Sequence, residues 1–120
     1  MADDPTIQLE HGRLTITREA IGEVVAETAL ACYGVVGMAA TSLTRGVAHL
    51  LSRDRLTQGV SVRREPAGLA IDLYVVVEFG LNLAEVAATI RSQVGYEVER
   101  LTGLTVAAVE VVIQRVRQSP

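Results

Sequence analysis

The sequence contains no lysine and no tryptophan, and Cys32 is the only cysteine among its 120 residues. A single cysteine cannot form an intrachain disulfide, and within an apolar pattern we interpret it as a small buried hydrophobic residue. Long apolar runs are missing too, since none approaches the roughly 18 residues that a membrane-spanning helix needs. The first residues lack the basic region and apolar core of a signal peptide. These absences predict a cytoplasmic protein without a membrane span of its own.

Residues that could carry chemistry are few. His11 and His49 are the only histidines, and neither has a second ligand at a helical or zinc-type spacing. Cys32 lacks a cysteine-protease signature around it. Glu97 and Glu99 are two positions apart, and residues at that spacing on a helix do not face each other. We therefore predict that the protein is not an enzyme and holds no metal and no cofactor.

The composition that is present is typical of one folded domain. The apolar fraction of 49% and the charged fraction of 21% lie well inside the globular range. Residues 1–11 are polar, contain Pro5 and show no sustained period, which predicts a flexible N-terminal tail. Residues 12–117 are predicted to form a single α+β domain.

Strand-like and helix-like patterns follow one another along this domain. Residues 13–17 alternate as a short strand does, and Thr17 can cap the helix that follows. Residues 35–39 suit a short strand or a buried connector, and residues 43–51 suit a short helix. Val60 and Val62 alternate with polar residues, and residues 65–68 have the composition of a hairpin turn.

The clearest unit covers residues 69–103. Every second side chain from Leu69 to Phe79 is apolar, which predicts a strand with one face in the core. Asn82 and Glu85 have the spacing of a capping box, and Gly103 ends a helix of roughly twenty residues. A β-branched strand follows, with Val109, Val111 and Ile113 facing inward. The order predicts a two-layer α+β sandwich, with an antiparallel or mixed sheet and two main helices on one side.

The other face of the main strand is the first candidate for a binding surface. It carries Asp72, Tyr74, Val76 and Glu78, a mixture of polar and apolar side chains that is common at modest protein interfaces. The alternative is that this face packs beneath another layer of the same protein, because one sequence does not distinguish a buried face from an exposed one.

Positive charge is concentrated in one segment, residues 45–64. Its arginines are Arg45, Arg53, Arg55, Arg63 and Arg64. Beside the apolar residues of the predicted short helix they could contact an anion or a membrane surface, whereas the alternative is a solvated loop and hairpin. Gly34 and Gly37 match the GxxG spacing of an RNA-binding KH loop, so a nucleic-acid-binding module that uses this loop and the arginines is the alternative function. The four aromatic residues do not interleave with basic residues as a base-stacking platform requires, which argues against nucleic acid as a partner.

Several stretches resemble the alkaline-shock-protein family of bacterial envelope stress response proteins. The resemblance begins with GRLTI at residues 12–16 and is strongest over AIDLYVVVEFG at residues 70–80, followed by Leu83, Glu85 and the closing LTGL at residues 101–104. It covers about residues 12–116. It implies a cytoplasmic, non-enzymatic protein linked to cell-envelope stress, in some members held at the membrane by a separate anchoring protein. We accordingly expect a scaffold or adaptor that binds other proteins, itself included.

Overall fold

The structure is a computed structural model that describes residues 4–40 and 57–118. The helices in this part are α1 (Arg18–Leu30) and α2 (Leu83–Thr102), and the strands are β1 (Thr6–Leu9), β2 (Gly12–Thr15), β3 (Val35–Met38), β4 (Val60–Glu65), β5 (Gly68–Glu78) and β6 (Val106–Arg117). The predicted α+β class is confirmed. The helix predicted for residues 43–51 lies outside the described residues.

Both helices begin at the residues that the sequence indicates. The side-chain oxygen of Thr17 accepts a hydrogen bond of 3.0 Å from the backbone N–H of Ala20, and Asn82 Oδ1 accepts one of 3.1 Å from Glu85 N–H. Each bond satisfies an amide that has no partner within its helix. Gly103 ends α2 in the left-handed conformation, with φ of 76°, which glycine adopts without steric cost.

The sheet is organised around β5. Strand β6 pairs with β5 in parallel along one edge, from Leu69 to Glu78. Strand β4 pairs antiparallel with residues 68–73 of β5, and β3 pairs antiparallel with residues 75–77. Since a strand has only two edges, β3 and β4 share the second edge of β5, one after the other. The sheet is therefore mixed.

The core lies between this sheet and the two helices. Alternate residues of β5 from Leu69 to Val77 are buried, and they pack with Ile21 and Val25 of α1 and with Ile90 and Val94 of α2. Val109, Val111 and Ile113 of β6 pack against the same core as predicted, although they are only partly buried. Both helices thus cover one face of the sheet, which makes the predicted two-layer sandwich.

The predicted core is wrong at its ends. Phe79, Leu83 and Leu101 continue the apolar periods of β5 and α2, yet all three are exposed. Strand β5 ends at Glu78, and Leu83 and Leu101 lie in the first and last turns of α2. Apolar periodicity therefore runs past the region where the two layers cover each other.

The N-terminal residues also depart from the predicted tail. Thr6–Leu9 forms β1, which pairs with β2 in an antiparallel hairpin. Asp4 and Pro5 are buried, and Asp4 Oδ1 accepts a hydrogen bond of 3.1 Å from the backbone N–H of Arg18 at the start of α1. The prediction that residues 1–11 lack regular structure is wrong for residues 6–9, because pairing with β2 supplies the partner strand that a single segment cannot provide. The boundary of the domain at residue 12 stays a prediction.

Candidate interaction surface

The sheet face opposite the helices holds the first predicted binding residues. Asp72 is half-buried, and Arg63 Nη2 lies 3.3 Å from its Oδ2. Tyr74 is half-buried and packs against Val76 and Ala39, and Val76 is only 1% exposed. Glu78 is half-buried at the end of the strand. The face is therefore mostly covered, and Val76 packs against Tyr74 but offers no contact area of its own.

The predicted arginine cluster is divided. Arg45, Arg53 and Arg55 lie outside the described residues. Arg63 on β4 bonds both Asp72 and Glu65, so two carboxylates offset its charge. Arg64 is exposed beside the turn between β4 and β5. In the described part, the β4 end of the segment therefore offers less net positive charge than its sequence indicates.

Val35–Met38 forms strand β3, one of the two structures expected for residues 35–39, so the alternative interpretation of Gly34–Gly37 as a GxxG loop is wrong. Gly37 pairs with Val76, and the backbone amides of this stretch belong to the sheet rather than to a phosphate-binding loop. Gly34 has φ of 90°, and a Cβ atom there would lie 2.5 Å from Leu81 Cδ1. Backbone conformation and packing thus explain Gly34.

A surface that the sequence did not reveal lies at the end of the sandwich where β5 enters α2. We call it the apolar tip, and define it as the exposed residues Tyr33 (78%), Val36 (40%), Phe79 (63%), Leu83 (39%) and Val116 (39%). Glu78 N–H donates to the carbonyl of Gly34, and Phe79 N–H donates to the carbonyl of Arg117, both at 2.8 Å. These two bonds bring the segments that carry Tyr33, Phe79 and Val116 side by side.

The chain exposes Phe79 because it turns immediately after β5. Gly80 has φ of 101°, a backbone conformation that residues other than glycine rarely adopt. Two residues later, Asn82 caps the start of α2. The aromatic ring therefore stands beyond the layer that buries Val77. Gly80, directly after Phe79, is the one signal in the sequence that the strand ends there.

The ionisable groups do not suggest a reactive centre. Within residues 4–40 and 57–118, no three histidine, cysteine, aspartate or glutamate side chains are grouped as metal ligands. Burial raises the pKa of the Cys32 thiol, whose sulfur donates to the carbonyl of Thr28 at 3.5 Å, and a raised pKa disfavours the nucleophilic thiolate. Hydrogen bonding from Arg100 lowers the pKa of Glu97.

Neither α1 nor α2, the helices of the described part, is long and apolar enough to cross a membrane. Solved structures of the MamM CTD have the same α+β fold. A variant of the MamM CTD matches with a TM-score of 0.54 at 13% identity, covering 86% of this chain and 84% of that one.

Sequence comparison identifies close relatives. Uncharacterized protein YloU of Bacillus subtilis is 34% identical over 112 residues, which are 92% of this chain and 93% of the relative. Uncharacterized protein Spy1614 of Streptococcus pyogenes is 30% identical over 112 residues, with the same coverage. Residues 6–118 match the model of the alkaline shock protein 23 family, described as having a cell envelope-related function. The chain belongs to this family, as the resemblance predicted.

Proposed function

We propose that this protein is a non-enzymatic scaffold or adaptor in the bacterial response to cell-envelope stress, and that it binds other proteins through the apolar tip. A membrane-anchored partner would hold it near the envelope from the cytoplasmic side. The single observation that carries the proposal is the exposure of Phe79 on a segment that is hydrogen-bonded to the segments carrying the exposed residues Tyr33 and Val116.

Aromatic side chains favour this interpretation. Phenylalanine and tyrosine bury large areas on binding and are enriched at protein interfaces, as is arginine. Arg117 adjoins Phe79 through their backbone hydrogen bond, and Glu78 precedes it. The tip therefore combines an apolar centre with charged residues beside it, an arrangement typical of protein interfaces.

The predicted surface on the sheet face adjoins the tip at Glu78. Tyr74 and Asp72 lie further along the same strand and keep part of their surface in solvent. We propose that they extend the contact area, with Val76 as a buried support. The arginines of residues 45–64 remain a candidate for contact with an anion or the membrane surface.

Site-specific photocrosslinking in the cells that produce the protein tests the proposal. A photoreactive amino acid replaces Phe79 in one variant and Leu101 in a control. Leu101 is 55% exposed on the last turn of α2, so the two positions differ mainly in their place on the molecule. We expect discrete adducts of higher mass from position 79 and none from position 101. Equal patterns from both positions would remove the tip as the binding surface.

A further inference from the structure

We propose that the edge of β6 that faces away from β5 pairs with β6 of a second copy of the chain about a twofold axis, which would join two sheets and place two α2 helices side by side. The inference goes beyond the proposed function, because it concerns residues 106–113 of β6, which are not part of the apolar tip. It rests on two independent features, one in the strand and one in the helix above it.

The first feature is the edge of a long strand that has no partner strand in the described part of the chain. β6 has 12 residues, and β5 occupies one of its edges. No strand in residues 4–40 or 57–118 pairs with the other edge. Unpaired backbone groups along an edge strand form a template for another strand.

Hydrogen bonds show which backbone groups point to the open side. The carbonyl of Thr105 accepts from Leu69 N–H at 2.8 Å, so it points toward β5. Strand geometry then directs the backbone N–H and C=O groups of Val106 away from β5. The observed hydrogen bond of Val106 is consistent with this direction, because its N–H donates to Glu99 Oε2 at 2.9 Å and not to β5. The register with β5 shifts by one residue between Val106 and Ala108, which reverses the sides. The backbone groups that point away from β5 after this shift belong to Val109, Val111 and Ile113, and they suit a partner strand.

The second feature is Gly95, in the interior of α2. Glycine destabilises a helix interior relative to alanine. A Cβ atom at Gly95 would meet no described atom within 4 Å, so packing within this part of the chain does not require glycine. Gly95 lies one turn before Glu99 on the same side of the helix. Since Glu99 reaches the open side of β6, Gly95 lies above that edge.

A second copy fits both features together. An extended peptide could pair with β6 but would leave the surface at Gly95 empty. A copy related by a twofold axis brings an antiparallel β6 and, in the same layer, its own α2 with its own Gly95. Two glycines, with the small Ala88 on the same side, allow the helices to approach closely. Such a symmetric dimer is the commonest oligomer of soluble proteins.

Mass measurement of the full chain tests the inference. Sedimentation equilibrium of the wild type is expected to give twice the chain mass of 12.8 kDa. Gly95→Gln places a bulky side chain in space that is open in one copy, so the fold is retained while the partner helix is blocked. We expect its dissociation constant for self-association to rise at least tenfold. Thr89→Gln is the matched control, because Thr89 is exposed on the side of α2 that lines the groove with α1.

A second variant tests the strand edge. Val109→Pro removes an N–H group that points away from β5, whereas Val109→Ala shortens the side chain and retains that N–H group. We expect Val109→Pro to weaken self-association at least tenfold and Val109→Ala to leave it unchanged. A wild type with the mass of one chain at every concentration would overturn the inference, as would equal association of Gly95→Gln and Thr89→Gln. Either result leaves the crosslinking test at Phe79 unaffected, so the two proposals fail separately.

Discussion

The carboxylate of Glu99 in α2 accepts a hydrogen bond of 2.9 Å from the backbone N–H of Val106, the first residue of β6. This contact ties the end of the crossover helix to the strand that follows it, across the short connection after Gly103. It also satisfies an amide that points away from the sheet.

Removing that carboxylate should lower stability slightly. We expect Glu99→Ala to reduce the free energy of unfolding by about 0.5 to 1.5 kcal/mol, the usual contribution of one hydrogen bond. Glu99→Gln keeps a side-chain oxygen acceptor and should retain most of that free energy. Urea denaturation of the three proteins measures the difference, and equal losses in both variants would contradict a role for the acceptor.

Alanine substitutions at two glycines with positive φ, Gly80 and Gly34, distinguish the effect of backbone strain on stability from the effect of a steric clash. Gly80→Ala should cost about 1 to 3 kcal/mol, because alanine is strained at a φ of 101° and its Cβ meets no described atom within 4 Å. Gly34→Ala carries similar strain at a φ of 90° and also brings its Cβ against Leu81. We therefore expect Gly34→Ala to be the more destabilising of the two by thermal denaturation. The reverse order would show that Leu81 moves aside without cost.

Acid should weaken the attachment of the N-terminal hairpin. The pKa of Asp4 is lowered below its ordinary value of 3.8, chiefly by the hydrogen bond from the backbone N–H of Arg18. The positive charge of the Arg18 guanidinium lowers it further. A carboxylate with a lowered pKa in the folded state stabilises that state above its unfolded pKa and loses the contribution as the pH falls through the folded pKa. We expect this part of the stability to be present at pH 7 and to decline below about pH 4.

Asp4→Asn provides the control for the acid effect. Asparagine keeps an oxygen that can accept from Arg18 N–H but has no charge to titrate. The urea midpoint of the wild type should therefore fall more between pH 7 and pH 3 than that of Asp4→Asn. Parallel midpoints for the two proteins would exclude Asp4 as a source of the acid sensitivity.

The burial of Val76 determines how the sheet face can be probed. Val76→Asp places a carboxylate at a position that is only 1% exposed, and we expect it to destabilise the protein by at least about 3 kcal/mol. Val116→Asp, at a position that is 39% exposed, should change the free energy of unfolding by less than about 1 kcal/mol. Circular dichroism during urea denaturation compares them. Similar stabilities would show that the surroundings of Val76 open readily to water.

Much of the fold follows from local patterns in the sequence. Thr17 and Asn82 each supply an oxygen at the required distance from an amide a few residues ahead, so the starts of both helices are local features. The alternation from Leu69 to Val77 gives the buried face of β5 for a similar reason, since a strand places successive side chains on opposite faces. The family resemblance also depended on residues in this part of the chain.

Tertiary structure alone decided which apolar side chains are buried and which strands pair with each other. Phe79 has the same place in the alternation as Val77, yet it is exposed because the helix layer does not cover that end of the sheet. Val76 lies on the presumed outer face, yet it is covered. The parallel pairing of β6, the hairpin of residues 6–15 and the incorporation of Val35–Met38 into the sheet depend on segments far apart or on partner strands. A local pattern fixes which way a side chain points, whereas the arrangement of the layers determines whether anything covers it.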